Sequence, residues 1–351
     1  MTTSNNNKSV SQTITWMRFP LIFLIIMLHC YSVQRMEGNH DLYFKMVYPF
    51  ALWLGETGVP GFFFISGFLF FLSKKKYTDK LRSRFHTLLI PYLLWNLLLL
   101  LLYVFAYAIG YPQDINGNNI ADYTIMDYLR LFWDRGSYDK GNFVPLLCPL
   151  WYIRNLIIMS IISPLLYFTI RYMRELSLII IAAWWLITPH NAFIPQTILF
   201  FSIGAYFSIF SMNPLEVICR KKTLTFALYV IFSTGDILSH VFINTPVNLQ
   251  IHRLSLIFNI PALLLLGDWC VRHGYTSKFL PNAAFIVFCV HYPIVAVLRK
   301  FCITQYSDAS DIVHVLLYFI CVAISTILSL SIYQVLNQYF PKVKNLLSGN
   351  R

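Results

Sequence analysis

Apolar runs of about 20 residues recur along the whole of this chain, and no other feature restricts its fold as tightly. A helical run of that length crosses the roughly 30 Å hydrocarbon core of a bilayer. In lipid every backbone N–H and C=O must be paired inside the protein, so a succession of such runs specifies a bundle of helices. Ten segments are legible, at roughly 17–36, 47–73, 87–110, 150–170, 175–189, 194–212, 223–243, 252–271, 282–302 and 313–337. The fifth is short and Trp-rich. The predicted fold class is all-α, a polytopic integral membrane helix bundle of about ten transmembrane helices. Charged residues make up 12% of the chain, about half the share in soluble domains, which excludes a soluble enzyme.

The loops set the orientation. About two-thirds of the 27 Lys and Arg fall on one side: Lys8 and Arg18, the stretch KKKYTDKLRSR (74–84), Arg171 and Arg174, Arg220 to Lys222, Arg272 and Lys278, and Lys342, Lys344 and Arg351. The other side has Arg35, Lys45, Arg130, Arg135 and Lys140, with Arg154, Arg253, Arg299 and Lys300 near helix ends. This positive-inside asymmetry puts both termini in the cytoplasm. It also explains the net charge of +12 without a nucleic-acid partner. The first helix lacks a small-residue cleavage site after it and is read as uncleaved. Seven scattered cysteines without a CxxC suggest neither a zinc site nor a disulfide framework. No metal site is predicted.

The domain reading is a polar cytoplasmic tail over 1–16, a transmembrane domain over 17–340 and a basic cytoplasmic tail over 341–351. The outer loops are short except 111–149, rich in Asn, Asp, Tyr and Gly. A loop this long either binds a polar ligand or caps the bundle. No repeat relates the two halves, which disfavours a transporter built from inverted repeats.

Titratable groups inside apolar runs are costly and mark candidate sites. In RFPLIFLIIMLHC, Arg18 and His29 are eleven residues apart. At about 100° per residue they share one helix face, roughly 16 Å apart along the axis. His29 suits a general base or ligand; the plainer alternative is a neutral histidine bonded between helices. Arg18 taken alone reads as a topology anchor. In the second run Gly61 and Gly67, with Ser66, allow close helix approach. Glu56 is positioned to orient an imidazole, pair with an arginine, or sit at the outer interface. Arg82 and Arg84 lie at the start of the third helix, where guanidinium forks can grip phosphates of a nucleotide-bearing donor; topology anchoring is the alternative. Tyr152 reads as a belt residue. Arg154 near the outer side calls for an ion pair, with Glu56 the available carboxylate, and His291 is a second intramembrane histidine. His40, His86, His190, His240, His252, His273 and His314 fall near interfaces and carry little signal.

Taken in order, these segments resemble the acyltransferase-3 family of integral membrane acyltransferases. The resemblance rests on Arg18 and His29 in the first helix, FFFISGFLF around Ser66 and Gly67, RSRFHTLLIPYLLW, LWYIRNLI, and the late element from His291 to Pro293, spread over 16–295. It implies transfer of an acyl group, often acetyl, from acyl-CoA to a hydroxyl of an extracytoplasmic glycan or glycolipid. It also implies that His29 and Arg18 are essential and that the basic loop engages the coenzyme. The family's loop often reads Arg-x-x-Arg, whereas here Arg82-x-Arg84 is followed by His86, so which two groups hold phosphate stays open. With Arg351 so soon after the last helix, no appended esterase-like domain is expected.

On this reading acyl-CoA is a co-substrate and no cofactor is permanently bound. A multi-pass protein of the plasma (inner) membrane holds the nucleotide at Arg82 and Arg84, with Arg18 nearby. The thioester arm runs up one channel to His29, and Ser66, Tyr152 and Arg154 are candidate donors to the oxyanion. Glu56 and His291 are further candidate substrate contacts. The rival function is a transporter or acyl-group carrier that uses His29 as a proton relay.

Overall fold

In the computed structural model, residues 2–33, 40–111, 114–115, 118–136, 143–188, 193–243 and 247–350 are described, with side chains from residue 9. Arg35, Lys140, His190 and Arg351, and parts of the long outer loop, lie outside them. The described chain is almost wholly helical, and each of the ten apolar segments is a helix. Eight are long and apolar enough to cross a membrane. They are α1 (Thr2–His29), α2 (Asp41–Leu72), α3 (Tyr77–Ala108), α5 (Trp151–Met173), α9 (Lys222–Ile243), α10 (Asn248–Arg272), α11 (Phe279–Gln305) and α12 (Asp311–Tyr339). Between α3 and α5 comes the short α4 (Ile125–Arg130).

The remaining two expected spans differ from full crossings. The fifth is α6 (Glu175–Ile187), 13 residues and therefore only about 20 Å long. The sixth is α7 (Phe193–Ile209), followed at a 94° bend by α8 (Pro214–Arg220). The Arg253 guanidinium closes the end of α6, donating to the carbonyls of Trp185 and Thr188 at 2.5 and 2.7 Å. The Trp185 carbonyl is among the last four of α6, which lack a partner within the helix, and Thr188 follows its end, so a buried arginine satisfies both.

The tails are also more ordered than their polarity suggests. No Gly or Pro interrupts residues 2–16, so α1 runs on below the first apolar run. Val10, Thr13 and Ile14 are buried there, and Ser9 donates to Asp268 on α10. At the other end α13 (Pro341–Ser348) turns back onto α3, where Trp95 donates to the Leu347 carbonyl at 3.0 Å.

The tightest crossing is α2 against α7, and two glycines make it. A Cβ on Gly67 would lie 2.0 Å from the Phe201 carbonyl oxygen, and one on Gly204 would lie 2.0 Å from that of Phe64. Backbone meets backbone there, as small residues permit in lipid. The outer loop 111–149 has structure of its own. It contains a hairpin of β1 (Asp114–Ile115) with β2 (Asn118–Asn119), the α4 helix, and a small core of Ile115, Leu131 and Leu146 on Leu100. Thr124 and Asp127 form a reciprocal cap at the start of α4.

Candidate active site

Two cavities touch α1, one beside Arg18 and Ile22 and one at its C-terminal end beside Leu28 and His29. At the basic face, a cavity of about 320 Å³ is lined by Arg18, Ser66, Arg84 and Tyr152 together with apolar side chains. Four residues singled out in sequence thus meet from four helices. Ser66 and Tyr152 bridge α2 and α5 by a hydroxyl pair at 3.2 Å. Arg84 lies over the Phe70 ring, 5.6 Å from its centroid, which leaves its planar fork free for an anion. Arg82, two residues earlier and so about 200° round the helix, is exposed and is not among the lining residues. Arg18 is half-buried rather than spread on the surface, as an anchor would be.

The second cavity, about 550 Å³, opens toward the opposite face and is lined by His29, Tyr31, Ser32, Tyr292, Arg299 and Lys300 among others. The His29 ring packs against His291 (5.3 Å between centroids) and edge-on to Tyr292 (5.1 Å). His291 is fully buried; its Nδ1 lies 3.1 Å from the Val287 carbonyl and its Nε2 has no hydrogen-bond partner. The nitrogen facing a carbonyl carries the proton, so Nε2 presents a lone pair.

Aromatic rings lie between the cavities. Phe288 lines the inner cavity, 5.8 Å from Tyr152, and lies 6.0 Å from His291. The single channel expected from sequence is therefore two chambers divided by an aromatic layer, Tyr152–Phe288–His291–His29. Sequence spacing located both ends of this path on one face of α1, and could not reveal a ring from α11 lying across it.

Two other candidates lie elsewhere. Arg154 is buried, but its guanidinium donates to the carbonyls of Trp133 (2.8 Å) and Phe143 (2.7 Å) and stacks on the Trp133 ring. It fastens the outer loop to α5, where the expected partner was Glu56. Glu56 instead faces His252, with Oε2 3.0 Å from Nε2. The other ring nitrogen of His252 is 2.8 Å from Asp236, which also accepts from Tyr48 (2.7 Å) and Ser255 (2.8 Å). Asp236 is wholly buried, so several donors must hold its charge.

Sequence reasoning missed this cluster because it set His252 aside as interfacial and gave Asp236 no weight. The available signal was a lone aspartate inside the apolar run 223–243. A second omission is Arg135. This outer-loop residue interacts with the Tyr292 side chain, as does Cys148, and so carries the loop to the rim of the His29 cavity. The same loop has a polar hollow of about 290 Å³ lined by Asp122, Tyr123, Asp127, Arg130 and Asp134 among others.

The family model described as an acyltransferase domain, acyltransferase 3, matches residues 12–334. The chain is also 27% identical over 369 residues to the succinoglycan biosynthesis protein ExoH of Rhizobium meliloti (strain 1021), covering 98% of this chain and 93% of that protein. No solved structure matches significantly.

Proposed function

This chain belongs to the acyltransferase-3 family of multi-pass membrane acyltransferases, and on that premise we propose that it moves an acyl group, acetyl by family resemblance, from cytoplasmic acyl-CoA to a hydroxyl of a cell-envelope polysaccharide or glycolipid. The membrane is the inner membrane. The similarity to a succinoglycan biosynthesis protein supports a polysaccharide acceptor, as does the polar hollow in the outer loop.

The observation that carries the reading is the pair of cavities on one face of α1, with two arginines in the inner chamber and an imidazole in the outer one. Arg84 and Arg18 hold phosphates of the coenzyme, and the flexible arm extends along the apolar wall toward Phe288. For thioester and hydroxyl to meet, the Phe288 side chain turns aside. His29 takes the proton from the acceptor hydroxyl as its oxygen attacks the thioester carbonyl. The tetrahedral intermediate collapses with loss of the C–S bond, and the imidazolium returns the proton to the departing thiolate. The products are an ester and free CoA thiol. Such general-base assistance contributes about 10²–10⁴-fold. The exchange needs no permanently bound cofactor.

Purified protein with acyl-CoA and an envelope glycan fraction tests the proposal by thiol release and by mass spectrometry of the glycan. Acceptor-dependent CoA release and a matching ester are the expected result. Tight acyl-CoA binding with no ester formed would favour the carrier reading instead.

A further inference from the structure

A cluster outside this path has the chemistry of a metal site. His40 precedes α2, and Asp311 and His314 lie in the first turn of α12. One donor atom from each falls within 4.8 Å of the other two. We propose that His40, Asp311 and His314 bind a divalent transition-metal ion, zinc or a neighbour of similar size, on the face opposite the basic one.

Four observations support this. First, the donor set is two imidazoles and one carboxylate, which suits zinc, cobalt and nickel and is poor for calcium or magnesium. Second, the spacing is close to what a tetrahedral ion requires. Metal–nitrogen bonds of about 2.0–2.1 Å put neighbouring ligands about 3.3 Å apart. His40 Nδ1 and Asp311 Oδ1 are 2.8 Å apart and the three donors lie within 4.8 Å of one another, so side-chain rotation closes the rest of the distance as the ion binds. Asp311 and His314, three residues apart on a helix, project from one face. Third, His314 is 0% exposed and neither of its ring nitrogens has a hydrogen-bond partner. A buried unpaired polar atom is costly, and a metal would take the lone pair. The His40–Asp311 contact alone is an ordinary hydrogen-bonding distance and leaves His314 unexplained. Fourth, Asp311 is oriented from behind, since its Oδ2 accepts the Tyr43 backbone N–H at 3.1 Å. Ligand carboxylates are commonly held this way.

The site leaves a fourth position for water. It ties the start of α2 to the start of α12, residues 271 positions apart in sequence. Through Tyr43, whose hydroxyl donates to the Tyr31 carbonyl at 2.5 Å, it also braces the rim of the His29 cavity. The role is therefore structural, fixing the outer mouth.

The test is titration of Co²⁺ into the full-length protein, stripped of metal in detergent. The expected result is a saturable visible band at one ion per chain, erased by excess Zn²⁺ and accompanied by a raised melting temperature. His314→Gln and, separately, His40→Gln should weaken binding at least tenfold. Should either variant fail to fold, the parent titration still decides. Absence of saturable binding by the parent overturns the proposal, as does unchanged binding in both folded variants. The readout is independent of acyl transfer.

Discussion

The α2–α7 crossing offers a sharp test of the architecture through Gly204→Ala. Ordinary contact at a Cβ begins near 3.4 Å, whereas the new Cβ would sit 2.0 Å from the Phe64 carbonyl oxygen and 2.8 Å from the Phe68 backbone nitrogen. Neither atom can rotate away as a side chain would, so the helices must part by more than an ångström. Overpacking costs about 1–3 kcal/mol and sometimes more. Exchanging Gly for Ala in a helix returns about 1 kcal/mol. The steric cost belongs at the upper end because both offending atoms are main chain, so the net is a loss. Gly67→Ala meets the Phe201 backbone at the same crossing and is expected to behave alike. One parting of the helices relieves both overlaps, so the double variant should lose less than the sum. Thermal unfolding in detergent, followed by size-exclusion monodispersity, measures it; each single variant should melt several degrees below the parent. Because Ser66 adjoins Gly67 and bonds across to Tyr152, KM for acyl-CoA should rise in Gly67→Ala. A melting temperature unchanged in both single variants would refute the backbone-to-backbone packing.

Other outcomes follow from the two chambers and the buried cluster. His29→Ala should lower acyl transfer at least 100-fold while leaving a folded, membrane-inserted protein; near-parental turnover would remove the imidazole from the chemistry. Arg84→Ala should raise KM for acyl-CoA about tenfold or more, the loss of one charge-assisted hydrogen bond, whereas exposed Arg82→Ala should change it little; equal effects would mean that the nucleotide lies outside the cavity. Asp236→Ala strands His252, Tyr48 and Ser255 without their buried partner and should cost about 3–5 kcal/mol, read as a large drop in melting temperature. In the outer loop, hydrogen bonds from Thr124 hold the Asp127 carboxyl below its ordinary value. The cap's contribution is then complete above the usual carboxylate range near pH 4 and fades as pH falls through the lower folded value. Amide protection across α4, taken relative to the intrinsic exchange rate at each pH, should fall only under acid conditions, and Thr124→Ala should remove that pH dependence.

Much of this protein follows from its sequence because a bilayer leaves the backbone so few choices. Apolar run length fixed where helices form, and lysine and arginine placement fixed which face is basic. The helical repeat put Arg18 and His29 on one side of α1, since each of these depends only on residues near in sequence. Tertiary packing decided the rest. Arg154 and Glu56 were a plausible pair by depth, yet backbone carbonyls of a folded loop captured the one and His252 the other. Phe288 divides the path to His29 only because α11 presents it there, and His40 meets Asp311 and His314 only because α2 packs on α12. A charge inside a membrane must find a partner, and the choice among partners is made in space, between helices whose mutual rotation no single segment encodes.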